Sequence, residues 1–138
     1  MVKLLIGRKG TGKTAKMVEI ANDCLREVNG SVVFINKNQR LMYDLKYRIR
    51  VVCMEEYEAI TNVDEYIGFI YGIISQDHDI EKIFIDSILK HSKIEIADIP
   101  AFLAKLEEIS KAKNIDFTVS LSADKEELAG IDNYEILN

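Results

Sequence analysis

The sequence predicts an α/β fold, a three-layer α/β/α sandwich with a mostly parallel sheet. Short apolar segments alternate with longer segments in which apolar residues recur every three or four positions, as strands alternate with amphipathic helices. This alternation is typical of a parallel sheet covered by helices on both faces. The chain has 138 residues, 48% of them hydrophobic and 30% charged, which fits a single domain over residues 1–138.

The start of the chain predicts two buried strands joined by one helix. Residues 2–6 are apolar and run into Gly7, which indicates a strand that feeds a tight turn. Residues 13–28 have one apolar face, so we expect a helix that is ended by Gly30 in a left-handed conformation. Residues 31–36 predict the second buried strand.

The same alternation continues along the rest of the chain. We expect strands at 49–54, 82–86 and 115–121, an edge strand at 134–137, and helices at 64–75 and 98–113. Asp98 is suited to cap the last helix, and Pro100 is suited to its first turn. Ligand sites of parallel sheets lie at the carboxyl ends of the strands. Gly7 and Asp86 both stand at such ends, so we expect them to lie close together.

The segment between the first strand and the first helix matches the phosphate-binding pattern G-x-x-x-x-G-K-[ST] in full. Its residues are Gly7, Arg8, Lys9, Gly10, Thr11, Gly12, Lys13 and Thr14. The glycines let successive backbone N–H groups point at phosphate oxygens, and the helix N-terminus adds partial positive charge. We expect Lys13 to reach the β- and γ-phosphates and Thr14 to ligate Mg²⁺. The pattern therefore predicts ATP, or another nucleoside triphosphate, bound with Mg²⁺.

A single acid ends the apolar strand predicted at 82–86. A phosphate-loop enzyme needs a carboxylate near its metal, and Asp86 is the best candidate for ordering the water around Mg²⁺. The alternative is an aspartate that only caps a loop. If the first interpretation holds, Lys13 and Asp86 are the catalytic pair, because one neutralises phosphate charge and the other holds the metal.

These segments resemble the RecA-like group of P-loop ATPases over residues 2–123. The specific points of resemblance are GRKGTGKT at 7–14, IFIDS at 83–87 and FTVSLS at 117–122. The resemblance implies a RecA-like P-loop NTPase core in a small bacterial-type ATP-binding protein. It also implies Asp86 as the metal-side acid and a polar residue near the end of a later strand, Ser120 or Ser122, that contacts the γ-phosphate of the bound nucleotide.

The sequence departs from the RecA-like pattern at the group that activates water. The family usually carries a glutamate at the end of the second strand, whereas here Asn36 and Lys37 stand in that position. Glu55 and Glu56, after the third predicted strand, are the nearest catalytic substitutes, and the alternative is that they are solvated loop acids.

We therefore expect a slow or partner-activated ATPase. The alternatives are a nucleotide-binding switch or assembly module without significant turnover, and a small-molecule kinase. The kinase is less favoured because no arginine follows residue 50 to form a lid.

Residues 37–50 form a basic segment in which aromatic residues are interleaved. Its charged and aromatic residues are Lys37, Arg40, Tyr43, Asp44, Lys46, Tyr47, Arg48 and Arg50. Three interpretations are open: a solvated segment with the tyrosines packed underneath, an arginine finger for a neighbouring subunit or other protein partner, and a surface for single-stranded nucleic acid. The net charge of −5 disfavours a general nucleic-acid binder.

Nothing in the chain indicates a membrane or a secreted protein. No apolar run approaches the roughly 20 residues that a membrane span needs. The first apolar stretch runs into glycines and lysines instead of forming a signal peptide. We therefore expect a cytoplasmic protein with no membrane partner.

Overall fold

A computed structural model gives the fold and describes residues 1–90 and 93–138. Within these residues six strands form one sheet in the order β3-β2-β4-β5-β1-β6, and every pair of neighbouring strands is parallel. The strands are β1 (Val2–Gly7), β2 (Ser31–Asn36), β3 (Ile49–Cys53), β4 (Ile80–Ile85), β5 (Asp116–Ser122) and β6 (Glu135–Ile136).

Three α-helices cover the sheet on its two faces. They are α1 (Lys13–Cys24), α2 (Val63–Gln76) and α3 (Ile99–Lys113). Helices α2 and α3 share one apolar core with alternate residues of the strands, and α1 packs on the opposite face of the same strands. The predicted α/β/α sandwich is therefore confirmed. In the described part of the chain, every helix is too short or too polar to cross a membrane.

The face under α2 and α3 carries a large apolar core. Strand residues of this core include Leu4, Ile83, Ile85, Phe117 and Val119, and helix residues include Tyr66, Ile70, Phe102 and Leu106. The rings of Phe102 and Tyr66 meet edge to face with centroids 5.4 Å apart, which ties α3 to α2. Burying each large apolar side chain stabilises the fold by about 1.5–3 kcal/mol.

Helix α1 is one turn shorter than the sequence predicts. Residues after Cys24 form tighter turns, in which the backbone N–H groups of Leu25 and Arg26 donate to the carbonyls of Asn22 and Asp23. The guanidinium of Arg48 holds this segment by donating to the carbonyls of Leu25, Val28 and Gly30. The prediction of a left-handed Gly30 was wrong, since its φ is not positive. Gly30 is needed for another reason: an added Cβ would lie 2.0 Å from the backbone oxygen of Asp79.

The start of α3 also differs from the prediction in its cap. Asp98 does not cap α3; its carboxylate accepts a hydrogen bond from the backbone N–H of Glu95, at 3.0 Å, and so closes the short turn before the helix. Pro100 lies in the first turn, as predicted.

The last residues add a sixth strand beside β1. The backbone N–H of Leu137 donates to the carbonyl of Leu4 at 2.8 Å. The side-chain amide of Asn138 then pairs with both backbone groups of Ile6, since its oxygen accepts from the Ile6 N–H at 3.0 Å and its nitrogen donates to the Ile6 carbonyl. A side chain thus continues the backbone ladder along β1 towards the loop that follows it.

The strand order brings the carboxyl ends of β1, β5 and β4 side by side. Strand β5 lies between the other two, with Gly7 in register with Ser122 and Ile85 in register with Val119. Because side chains alternate along a strand, Ser120 and Ser122 face α1 while Val119 and Leu121 face the opposite core. The residues that follow β1 and β4 therefore lie close together, next to Ser120 and Ser122 of β5.

Candidate functional site

The loop at residues 7–14 is a tight curl between β1 and α1. Gly10 and Gly12 have φ values of 86° and 83°, a left-handed conformation that glycine adopts without steric cost. Gly7 is constrained differently, since an added Cβ would lie 2.8 Å from the Oγ1 atom of Thr11. The curl ends at the N-terminus of α1, where unpaired backbone N–H groups and the helix dipole favour an anion.

Lys13 lies folded against this loop. Its ammonium donates to the carbonyl of Arg8 at 2.9 Å and lies 3.5 Å from the Thr11 hydroxyl, and the residue is only 8% exposed. A buried cation is therefore held beside the curl of backbone N–H groups. Both features attract negative charge to the same place.

The structure brings Thr14 and Asp86 together. Asp86 follows β4 directly and is buried, and the Thr14 hydroxyl donates to its Oδ2 atom at 3.0 Å. A hydroxyl and a carboxylate oxygen are the hard oxygen ligands that Mg²⁺ accepts, usually from one or two carboxylates together with substrate phosphates and water. The donor set at this contact therefore fits a magnesium ion.

Two serines of β5 face this site, and their hydroxyls are in different situations. Ser120 is fully buried; its hydroxyl donates to Asp86 Oδ1 at 2.7 Å and accepts from the Ser87 N–H at 2.7 Å. The Ser122 hydroxyl is buried and has no hydrogen-bond partner among the described residues. Ser122 lines a cavity of about 150 Å³ together with Lys13 and Thr14. Only Ser122, therefore, has a hydroxyl left over for a ligand.

Ser87 has a backbone conformation that the sequence did not indicate. Its φ of 58° is left-handed, which is uncommon for a residue other than glycine, and such conformations cluster at functional sites. Ser87 is buried and lines both cavities that adjoin Thr14. No spacing or periodicity reveals such a dihedral angle; the only signal was that Ser87 directly follows Asp86.

A second cavity, of about 170 Å³, lies on the other side of Thr14 and Asp86. Its lining also includes Asn36, Lys37 and Arg40. Asn36 is buried, and its amide nitrogen donates to the carbonyl of Asn38 at 3.2 Å. This is the place where the RecA-like resemblance implies a water-activating glutamate, and it holds an amide.

Glu55 and Glu56 line neither of these two cavities. The backbone N–H of Glu55 donates to the Lys37 carbonyl at 3.0 Å, and the Glu56 carboxylate accepts from the Gln39 side chain at 3.2 Å. Glu56 lines a separate groove between β3 and α2. The structure therefore does not bring these two acids to the loop at residues 7–14.

Arg8 and Lys9 occupy the exposed side of the loop. The Arg8 guanidinium forms a two-pronged ion pair with Asp124, with contacts of 2.8–2.9 Å. This hydrogen bond lowers the pKa of the Asp124 carboxyl and raises that of Arg8. This surface ion pair joins the loop at residues 7–14 to the segment after β5.

The basic segment packs differently from the first interpretation of its sequence. Tyr43 and Tyr47 are 94% and 103% exposed, so the expectation that they pack underneath was wrong. Leu45 is buried in their place, and the Asn22 side chain binds the backbone of Asp44 and Lys46. The segment is thus anchored on α1 by leucine and backbone contacts, while its aromatic rings point outward. Its roles towards a partner or nucleic acid stay predictions.

No protein-family model matches the chain, and no curated protein matches its sequence. Among solved structures, the fold is similar to that of a KaiC-like protein from the hyperthermophilic archaeon Pyrococcus horikoshii, with a TM-score of 0.58 and 20% sequence identity. The match covers 86% of this chain and 59% of the archaeal chain, so this chain spans a little over half the length of that protein. At this identity the likeness concerns the fold alone, a parallel six-stranded α/β sheet.

Proposed function

We propose that this protein binds ATP, or another nucleoside triphosphate, with Mg²⁺ at residues 7–14, and that it hydrolyses the nucleotide slowly or under the control of a partner. One observation carries the proposal: the Thr14 hydroxyl and the Asp86 carboxylate lie 3.0 Å apart at the N-terminus of α1. These two residues come from distant parts of the sequence, and their contact supports the proposal because a hydroxyl and a carboxylate, both ligands that Mg²⁺ accepts, lie together beside the glycine loop.

Each residue of the loop has a distinct task in this proposal. The loop N–H groups and the α1 N-terminus hold the phosphates, and Lys13 exchanges its contact with the Arg8 carbonyl for the β- and γ-phosphates. Thr14 and Asp86 hold Mg²⁺, which supplies neutralisation of phosphate charge. The Ser122 hydroxyl offers its unused hydrogen bond to a terminal phosphate oxygen.

Binding is tested by isothermal titration calorimetry with ATP, with and without Mg²⁺. Lys13→Ala should weaken affinity at least about tenfold, because a charge-assisted contact to phosphate is lost. Asp86→Asn should keep Mg²⁺-free binding and lose the extra affinity that Mg²⁺ confers. Lys16→Ala, an exposed lysine on the same helix, is the matched control and should bind as the wild type does. Unchanged affinity in a folded Lys13→Ala protein would rule out the phosphate-loop assignment.

Turnover should be slow because the place for a water-activating acid holds Asn36. An asparagine side chain orients water but is a very poor base, and Lys37 accepts no proton while it is charged. We expect a hydrolysis rate below about 0.1 s⁻¹, nearer to an unassisted GTPase than to a kinase. Phosphate release measured over a wide range of protein concentration tests this expectation. A fast rate that is independent of concentration would contradict it.

A second candidate is a nucleotide-binding switch or assembly module that barely turns over. It is favoured by the lining of the cavity beside Thr14, in which Asp86 is the only carboxylate among the described residues. A single-turnover experiment with excess protein separates the two candidates. A slow but complete conversion of ATP to ADP supports the ATPase, and unchanged ATP after many hours supports the switch.

A further inference from the structure

We propose that Ser120 is a positioning residue that aims the Asp86 carboxylate at Thr14 and thereby sets how strongly Mg²⁺ enhances nucleotide binding. The inference rests on the proposed function and deepens it, because it assigns a role at the same site to a residue that touches neither the nucleotide nor the metal. It also separates the two serines that the sequence left as alternatives.

The two oxygens of the Asp86 carboxylate have different partners. Oδ1 accepts from the Ser120 hydroxyl at 2.7 Å, and Oδ2 accepts from the Thr14 hydroxyl at 3.0 Å. A carboxylate rotates about its terminal bond with little resistance unless something holds it. Because Ser120 holds one oxygen from β5, the other oxygen is directed to the N-terminus of α1. The rotation that would take Oδ2 away from Thr14 breaks the contact with Ser120.

Ser120 also fixes the backbone that follows Asp86. The same hydroxyl accepts from the Ser87 N–H at 2.7 Å, and Ser87 is the residue with the left-handed φ of 58°. The buried Ser120 hydroxyl therefore donates to the Asp86 side chain and accepts from the N–H of the next peptide group. With both bonds made, the Ser120 hydroxyl links the carboxylate and the turn that carries it to β5.

The position of Ser120 follows from the strand order. Strand β5 separates β1 from β4, and Val119 is in register with Ile85, so the residues after this pair are level with each other. Thr118 occupies the same face two residues earlier and faces the opposite end of the sheet, where it lines a cavity with Lys16 and Lys82. Ser122 lies two residues later, at the phosphate loop. Only Ser120 is level with Asp86.

The experiment compares the affinity for ATP with and without Mg²⁺ by calorimetry. The ratio of the two dissociation constants should fall about tenfold in Ser120→Ala, because loss of an outer partner of a metal ligand usually weakens metal affinity by 10–100-fold. Ser120→Cys, which is similar in size and a weaker donor, should give an intermediate ratio. Thr118→Ala is the control on the same strand and face, and should keep the wild-type ratio. Equal weakening of both affinities in Ser120→Ala would mean that the residue is only structural and would overturn the proposal.

The failures of the two proposals are distinguishable. If the wild type shows no Mg²⁺-enhanced ATP binding, the proposed function fails; if it does and Ser120→Ala keeps the full enhancement, only the role of Ser120 fails.

Discussion

The six strands present alternate residues to two faces, and the two faces of the sheet differ in their chemistry. Under α2 and α3 the buried strand residues form one large apolar core. Facing α1, the apolar residues Leu5, Phe34 and Phe84 lie between polar groups at the two ends of the central strands. The carboxyl end of that face carries Asn36, Asp86, Ser120 and Ser122, and the amino end carries Lys3, Lys82, Asp116 and Thr118.

The difference follows from how many helices cover each face. Two helices seal the central strands of one face and pack an apolar core against them. One helix leaves the other face open at both ends, and a cavity of about 410 Å³ lies at the amino end. Polar side chains are stable there because they are paired, as Lys82 is with Asp116 at 3.0 Å. Along one strand, therefore, one set of alternate positions packs in the apolar core, and the other set faces the candidate site.

The largest effect should come from the sealed face. Phe102→Ala removes a buried ring that packs on Tyr66, and should lower the free energy of unfolding by about 3–5 kcal/mol. Urea denaturation measures the loss, and Tyr71→Ala on the exposed side of α2 is the control with little effect. The affinity of the still-folded protein for ATP should not change. Weaker binding by the folded variant would show that the two faces are not separable.

Smaller effects are expected at the carboxyl end of the open face, where one substitution should keep or raise the free energy of unfolding and another should lower it. Ser122→Ala removes a buried hydroxyl that has no partner among the described residues, so the free energy of unfolding without nucleotide should stay the same or rise. Its ATP affinity should fall roughly tenfold or more, the worth of one hydrogen bond to a charged group.

Ser120→Ala should instead destabilise the protein by about 1–3 kcal/mol, since it removes a hydrogen bond to a buried carboxylate. Its ATP affinity should fall only when Mg²⁺ is present. Thermal unfolding with and without ATP distinguishes these outcomes.

The smallest effect should come from the amino end of the open face. Burial acts to raise the pKa of Asp116, but hydrogen bonds from Lys82 and from the N-terminal amine of Met1 outweigh it and lower the pKa below its usual 3.8. A lowered pKa in the folded state means stability that is present above the usual value and is lost as the pH falls through the folded one. Asp116 is 45% exposed, so Asp116→Asn should cost less than about 1 kcal/mol at pH 7.

Urea denaturation at pH 7 and pH 2.5 checks the Asp116 prediction. The variant should be slightly less stable than the wild type at pH 7, and the gap should close at pH 2.5. A gap of the same size at both values would show that the ion pair is not its cause.

Much of the architecture followed from local patterns. The apolar strands and the amphipathic helices were predictable because burial on a sheet or a helix face leaves a period of two or of about 3.6 in the sequence. Asp86 was also expected to lie close to the loop that begins at Gly7, since strands of a parallel sheet end at the same edge, and its contact with Thr14 agrees with this.

What escaped prediction depends on residues that are distant in sequence. Arg48, from beyond β2, holds the carbonyls of Leu25 and Val28 in the turns that follow α1. The outward position of Tyr43 and Tyr47 depends on Leu45 and Asn22 anchoring the segment to α1. The choice between Ser120 and Ser122 needed the register of β5 against β4, which no pattern within β5 contains.

The place of β5 in the sheet has a consequence for how the chain folds. This strand is the fifth in sequence, but it lies between the first and the fourth, so β1 has no neighbour within the first 115 residues. A growing chain can pair β2 with β3 and β4 early, while β1 and the glycine loop after it have no strand to pair with until β5 is made. Closing such long segments costs conformational entropy before the contacts are gained, which slows folding. The loop at residues 7–14 and Asp86 should therefore reach their final arrangement in the last step, when β5 inserts and joins the two halves of the sheet.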